Sequence, residues 1–354
     1  MKEKSIVFFN GSLTQGGAER VISILSKNLS EEGYKVRILL YYDREIFYKL
    51  NHGIEVLAVC KETGSGNILK NLFWIRGFFK KTDATIISFL DVFNMLALVA
   101  TLFLKKKIIV ADRSDPYHTP ENVFLRSIRD LLYRLASGVV LQTNHSYGYF
   151  NKSTQKKSIV IYNPINLGEK LGLAINTPKH KEIVSVGRLM EVKNHEMLIR
   201  SFGKLHKQFP DYTLTIYGEG PNRGNLELLI NRLSLNDSVF LPGATKDIFN
   251  SIKSAELFVF TSNYEGMPNA LLEAMCLGLP VVSTKVAGAT DLIKHEENGY
   301  LVEVGNEDEL VSVMQYLLNN KEKRIEIAKK AINISEQLDV HKITNKWINF
   351  VESC

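Results

Sequence analysis

The chain has 354 residues, 45% hydrophobic and 23% charged, with 44 Lys+Arg against 38 Asp+Glu. This balance excludes a wholly disordered or fibrous polypeptide, and at about 100–200 residues per domain the length points to two domains. Three cysteines, Cys60, Cys276 and Cys354, have no paired spacing, which argues against a disulfide framework or a cysteine metal cluster and fits a reducing compartment.

No apolar stretch of signal-peptide length precedes Gly11, so no secretion is expected. From there β-branched runs recur at Ser5–Phe9, Lys35–Tyr41, Ile54–Val59, Thr85–Leu90, Lys107–Ala111, Gly138–Gln142 and Ser158–Tyr162. Helix-like segments such as Ala18–Glu32 and Asn122–Leu135 lie between them. The alternation predicts a parallel sheet with helices on both faces. A polar stretch with two glycines and a proline, residues 166–181, reads as a linker. The rhythm then restarts with Glu182–Val186, Thr213–Tyr217, Ser238–Leu241, Leu257–Thr261, Pro280–Ser283 and Gly299–Val302. The expected architecture is α/β: a Rossmann-like domain over residues 1–165, a second over 182–335, and a last helical segment, 336–354, that could cross back to the first domain.

The charge is uneven. Residues 1–165 hold 23 Lys+Arg against 14 Asp+Glu, whereas the remainder holds 21 against 24. No nucleic-acid module accompanies the basic half, so a nucleic-acid partner is not expected. The segment Ile68–Lys81 mixes bulky apolar residues with four cations. It reads either as an interfacial helix on an anionic bilayer or as an ordinary helix packed on a sheet, and Phe78 and Phe79 favour the first only if exposed. Residues 84–104 are apolar enough to raise a membrane span, but Asp91 and Asn94 interrupt them, and a buried strand followed by a buried helix explains them better.

Three loops carry the chemistry. After the strand Leu257–Thr261 comes Glu265-Gly266-Met267-Pro268-Asn269-Ala270-Leu271-Leu272-Glu273. Pro268 suits a first helical position and Gly278 the helix end. The first-turn amides of Asn269, Ala270 and Leu271, with the helix dipole, form a place for a diphosphate, and Glu265 and Glu273 can accept sugar hydroxyls. After the first strand of the second half, Arg188 and Lys193 flank a short turn and complement a diphosphate in charge. Gly16-Gly17, between the first strand and first helix, and Gly218-Glu219, after another strand, allow close approach of a ligand. Neither GxGxxG nor GxxxxGK[ST] is present where it would be diagnostic, and no Asp-x-Asp pair argues for a metal.

Together GGAERV at 16–21, YNPI at 162–165, VGRLMEVKN at 186–194, YGEGP at 217–221, LPGATKDI at 241–248 and EGMPNALLEAMCLGLPVV at 265–282 resemble family 4 of the retaining glycosyltransferases, with the two-Rossmann GT-B architecture. The resemblance implies that Arg188 and Lys193 hold the donor diphosphate. It places Glu265 at the donor sugar, with the amides of Gly266, Met267, Pro268-Asn269 nearby, Glu273 at the ribose, and Ala270 and Leu271 at phosphate. Gly16 and Gly17 would line the cleft from the other domain, and Gly218–Glu219 and the Gly243–Lys246 loop would border the base. Many relatives carry a histidine where this chain reads Val110-Ala111-Asp112-Arg113-Ser114-Asp115-Pro116. That run is similar to the branch acting on lipid-linked or surface-polysaccharide acceptors, and makes Asp112, Arg113 and nearby His118 acceptor-side candidates.

The expectation is therefore a retaining, metal-independent transferase moving a hexose or N-acetylhexosamine from a UDP-sugar to a polyprenyl-diphosphate-linked glycan. It needs no cofactor and is expected to be cytoplasmic, peripheral on an anionic membrane face. The rival readings are a sugar-nucleotide epimerase on the same architecture and a non-catalytic nucleotide-sugar-binding subunit.

Overall fold

The computed structural model describes residues 4–14, 16–61, 67–165, 168–245 and 247–354. Its contacts divide the chain into two units, Met1–Pro164 with Leu338–Cys354, and Ile165–Gln337. Gln15, the first two residues of the expected linker (Asn166 and Leu167) and Lys246 lie outside the described residues.

In the first unit, β1 (Ser5–Asn10), β2 (Lys35–Asp43), β3 (Glu55–Lys61), β4 (Thr85–Phe89), β5 (Ile108–Ala111), β6 (Gly138–Leu141) and β7 (Ser158–Val160) form one parallel sheet in the order β3-β2-β1-β4-β5-β6-β7. Each strand is short and apolar on both sides, as a sheet covered on both faces requires. Along β1, Ile6 and Phe8 enter one core while Val7 and Phe9 enter the other. The helix Val340–Ser353 belongs to the first of these cores: Ile343, Trp347 and Val351 are buried with Phe8, Val21 and Ile22. Trp347 is fully buried and stacks on Phe89 at 6.0 Å between centroids.

In the second unit, β8 (Glu182–Val186), β9 (Thr213–Tyr217), β10 (Val239–Gly243), β11 (Leu257–Phe260), β12 (Val281–Thr284) and β13 (Tyr300–Val302) are again all parallel, in the order β10-β9-β8-β11-β12-β13. Both sheets reverse their order beside the first strand of the unit. That is the switch point at which doubly wound folds bind ligands, at the carboxyl ends of the strands.

The stretch read as a linker is packed where it is described. Ala174 is fully buried. Gly172 N donates to Cys276 O (3.0 Å) and Ala174 N to Leu277 O (2.9 Å). These carbonyls end the helix Asn269–Leu277 and have no intrahelical donor.

No helix among the described residues is long and apolar enough to cross a membrane. Residues 84–104 divide into β4 and the helix Asp91–Ala100. The helix Ile68–Lys81 buries Asn71, Ile75 and Phe79, so Phe79 is core, and Phe78 is half-buried on Trp74. Its exposed apolar residues are instead Ile68, Leu69, Phe73 and Trp74.

Candidate functional site

At the carboxyl edge of the second sheet the loops lie backbone to backbone. Gly187 N donates to Tyr217 O (3.0 Å), Leu189 N to Glu219 O (2.9 Å) and Gly218 N to Gly243 O (2.9 Å). A Cβ on Gly218 (φ +153°) would stand 2.0 Å from the Gly187 oxygen, and one on Gly220 would stand 2.3 Å from the Leu189 oxygen. These glycines are required by that approach.

Glu191–Lys193 makes one turn of 3-10 helix, and Asn194 follows in the left-handed region (φ +47°), its side chain accepting from Met197 N (3.2 Å) to cap the helix His195–His206. The turn is latched to the end of β11. Thr261 Oγ1 donates to the carbonyls of Lys193 and Asn194 (3.1 Å each), Asn263 receives Asn194 Nδ2 on its side-chain oxygen (2.8 Å), and Asn263 N donates to Val192 O (2.8 Å). This latch brings Lys193 Nζ onto Glu265 Oε1 as an ion pair, with the two side chains 19% and 22% exposed. Lys193 Nζ also lies 5.2 Å from the Phe260 ring centre. Burial, and then the Arg188 charge, push the Lys193 ammonium down to about 8. The Glu265 carboxylate acts the other way, and the ammonium is charged at neutral pH. Arg188 is exposed, its Nη1 3.9 Å from Met190 Sδ.

Sequence reasoning missed His195 and the roles of Asn194, Thr261 and Asn263, which position Lys193 through capping and latching that spacing alone does not reveal. His195 is buried, and its ring faces Gly187. Burial, then the Lys193 charge, push its imidazole down to about 4, so it is neutral at pH 7. In the unfolded chain it protonates near 6.5, so the unfolded state takes up the proton first as pH falls. Its contribution to stability is therefore complete above about pH 6.5 and is lost toward pH 4, by up to about 3 kcal/mol. Urea unfolding across that interval should show the stability of wild type falling relative to His195→Gln. Parallel curves would contradict a buried neutral imidazole.

The helix Asn269–Leu277 begins one residue later than expected. Pro268 (ψ 97°) is its cap residue, and Gly278 closes it in the left-handed region (φ +84°). The amides of Leu271 and Leu272 both donate to Pro268 O (3.0 and 3.1 Å). Leu271 thereby leaves the set of amides expected to meet a phosphate, because the first turn closes on itself; the Ala270 amide stays in that set. Gly266, Met267 and Pro268 are buried, Asn269 is half-buried, and Glu273 is buried one turn into the helix. Gly288 underlies this turn: a Cβ there would stand 2.2 Å from Gly266 O and 2.5 Å from Pro268 Cδ. Gly288→Ala should therefore displace the turn and destabilise the second unit by about 1–3 kcal/mol; an unchanged urea midpoint would sink this.

Gly243 (φ +93°) lies beside Glu219. The Glu219 carboxylate is gripped by Arg223 (Nε–Oε2 2.9 Å, Nη2–Oε1 2.5 Å). The Glu219 acid, expected to border a base, is thus already paired. Lys246, expected in the same border, lies outside the described residues.

In the first unit, Gly16 precedes the helix Gly17–Glu31 in extended conformation, and its carbonyl accepts from Tyr48 Oη (2.9 Å). Asp112 follows β5 and is buried. Its oxygens accept from Ser114 N and Tyr133 Oη (3.2 Å each), and burial pushes the carboxyl up to about 6. Arg113 is also buried, beside the stacked Phe89 and Trp347 rings, with its guanidinium carbon 4.8 and 5.6 Å from the two ring centres. His118 is half exposed and pairs through Nδ1 with Asp115 Oδ2 (2.9 Å). Among the described residues no group of three or more His, Cys, Asp or Glu side chains could hold a metal ion.

Two doubly wound sheets, one with a Lys–Glu pair and a helix start at its carboxyl edge, define a protein with two Rossmann-like units. Residues 174–334 match the family described as glycosyl transferases group 1. It is 29% identical, over 97% of its length and 99% of the other's, to an uncharacterized glycosyltransferase of Haemophilus influenzae. It is also 29% identical, over 96% and 97%, to the N-acetylgalactosamine-N,N'-diacetylbacillosaminyl-diphospho-undecaprenol 4-alpha-N-acetylgalactosaminyltransferase of Campylobacter jejuni. Its fold matches Anabaena HepE solved with UDP-glucose, at TM-score 0.83 and 20% identity over 99% of this chain and 100% of that one.

Proposed function

We propose that the protein transfers a hexose or N-acetylhexosamine, with retention and without a metal, from a UDP-sugar to a polyprenyl-diphosphate-linked glycan. The observation that carries this reading is the latched Lys193–Glu265 pair beside the helix Asn269–Leu277. Lys193 and Arg188 stabilise the charge that grows on the departing diphosphate, and the helix start adds its dipole. Glu265, already paired, orients the donor sugar through its hydroxyls. The acceptor hydroxyl enters on the leaving-group face, and the departing phosphate oxygen receives its proton. The activity for which the Campylobacter relative is named supports a lipid-linked acceptor.

Peripheral attachment to an anionic cytoplasmic membrane face belongs to the same proposal. It rests on exposed Ile68, Leu69, Phe73 and Trp74 beside Lys70, Lys80 and Lys81. Liposome flotation with anionic lipid at low and high salt tests it, and absence from the floated fraction at low salt rejects it.

The test of function is incubation with UDP-glucose, UDP-N-acetylglucosamine or UDP-N-acetylgalactosamine and a polyprenyl-diphosphate-linked sugar, in chelator, followed by NMR of the product. An α-linked product supports the reading. A β-linkage refutes retention, activity abolished by chelator refutes metal independence, and isomerised donor without transfer indicates an epimerase.

A further inference from the structure

Arg113 sits two residues beyond the carboxyl end of β5, 9% exposed, with its guanidinium carbon against the stacked Phe89 and Trp347 rings, 4.8 and 5.6 Å from their centres. Its Nη1 donates to Asn163 Oδ1 (3.1 Å). Its Nε and Nη2 are buried and have no hydrogen-bond partner among the described residues. Those two nitrogens form the side-on edge of the guanidinium, whose parallel N–H bonds match two oxygens of a phosphate or carboxylate.

The same unit shows how the fold treats such an edge when the role is structural. Arg129 is fully buried too, yet its Nε and Nη2 both reach Asp130 Oδ1 (2.9 and 2.8 Å), and Nη2 also reaches Pro116 O (3.2 Å). Near Arg113 the acids are committed elsewhere: Asp112 to Ser114 and Tyr133, and Asp115 to Tyr117 N (3.0 Å) and His118. Gln142 shares the Asn163 acceptor with Arg113, through Nε2 at 2.7 Å, and its buried Oε1 has no partner. A cation edge with two N–H donors fits a phosphoryl anion, and an amide whose other end shares the Asn163 acceptor with that arginine offers an oxygen for a hydroxyl.

We propose that the Arg113 edge binds a phosphoryl group of the acceptor, with Gln142 Oε1 accepting a hydroxyl of the sugar it bears. This rests on the transferase reading above and makes Arg113 an acceptor-binding residue and Gln142 its companion. A purely structural Arg113, holding the Val340–Ser353 helix through Trp347, is the competing outcome.

Trp74 and Trp347 are the chain's two tryptophans, so Trp74→Phe leaves Trp347 as the single reporter, stacked under Arg113. With UDP at saturation to occupy the donor site, inorganic pyrophosphate and N-acetylglucosamine 1-phosphate are titrated while Trp347 emission is followed. The expected result is a saturable change with both, tighter for the sugar phosphate, and at least tenfold weaker after Arg113→Lys, which keeps the charge and removes the fork. Gln142→Leu should weaken the sugar phosphate and leave pyrophosphate unchanged. No saturable change once UDP is present overturns the proposal without any substitution at Arg113, so a misfolded Arg113→Lys does not rescue it. Equal affinities in wild type and Arg113→Lys, or binding of glucuronate in place of both phosphates, overturn it as well. Failure of the transferase reading is seen separately, as absent sugar transfer with phosphate binding intact.

Discussion

Lys193→Ala should lower sugar transfer by more than tenfold while the far-ultraviolet spectrum stays native. A charge-assisted hydrogen bond contributes roughly 1.5–3 kcal/mol, which corresponds to about 12- to 160-fold if it is made in the transition state. The substitution also strips Glu265 of its cation, so Glu265→Ala should likewise exceed tenfold. The double variant Lys193→Ala/Glu265→Ala should fall well short of the product of the two losses, because each single change already breaks the pair. The ammonium, pushed down to about 8, is charged below that pH. If the charged form is the one that holds the donor diphosphate, UDP affinity should weaken about tenfold between pH 7 and pH 9. Lys193→Arg, which stays charged throughout, should flatten that slope. Calorimetric titrations at pH 7, 8 and 9 check this, and equal slopes in both proteins would remove Lys193 from the donor site.

Trp347→Ala should destabilise the first unit by about 3–5 kcal/mol, the range for emptying a buried aromatic site. Trp347 is fully buried, stacks on Phe89 and underlies Arg113, so no neighbouring chain can collapse into the space cheaply. Urea unfolding should show two transitions, with the one assigned to the first unit moved to lower denaturant and the other unmoved. A shift below about 1 kcal/mol would mean that the helix Val340–Ser353 contributes little to that core.

The α/β class was legible because both sheets are parallel and buried, so each strand is a short apolar run with few competing patterns; the thirteen runs read from the sequence all became strands. Their ends moved by a residue or two, as at β2, which extends to Asp43, and β7, which stops at Val160. The packing of the stretch 166–181 was not legible, because composition reports polarity and not which backbone groups need partners: the amides of Gly172 and Ala174 serve the carbonyls of Cys276 and Leu277. The cations and carboxylates of the candidate site were legible as motifs. Their supports were not. Thr261, Asn263 and Gly288 act through contacts across 20 or more positions of sequence. Arg113 stood out only as one residue of a polar run, and its unmatched edge is a property of three dimensions.

The first unit is assembled from two pieces of chain, with residues 165–337 inserted between them. A ribosome therefore finishes every strand of both sheets before it supplies Trp347, and the amino-terminal sheet stays without one of its covering helices until the last seventeen residues emerge. Truncation at Gln337 should accordingly leave the inserted half resistant to limited proteolysis and expose the other to digestion, although no strand has been removed.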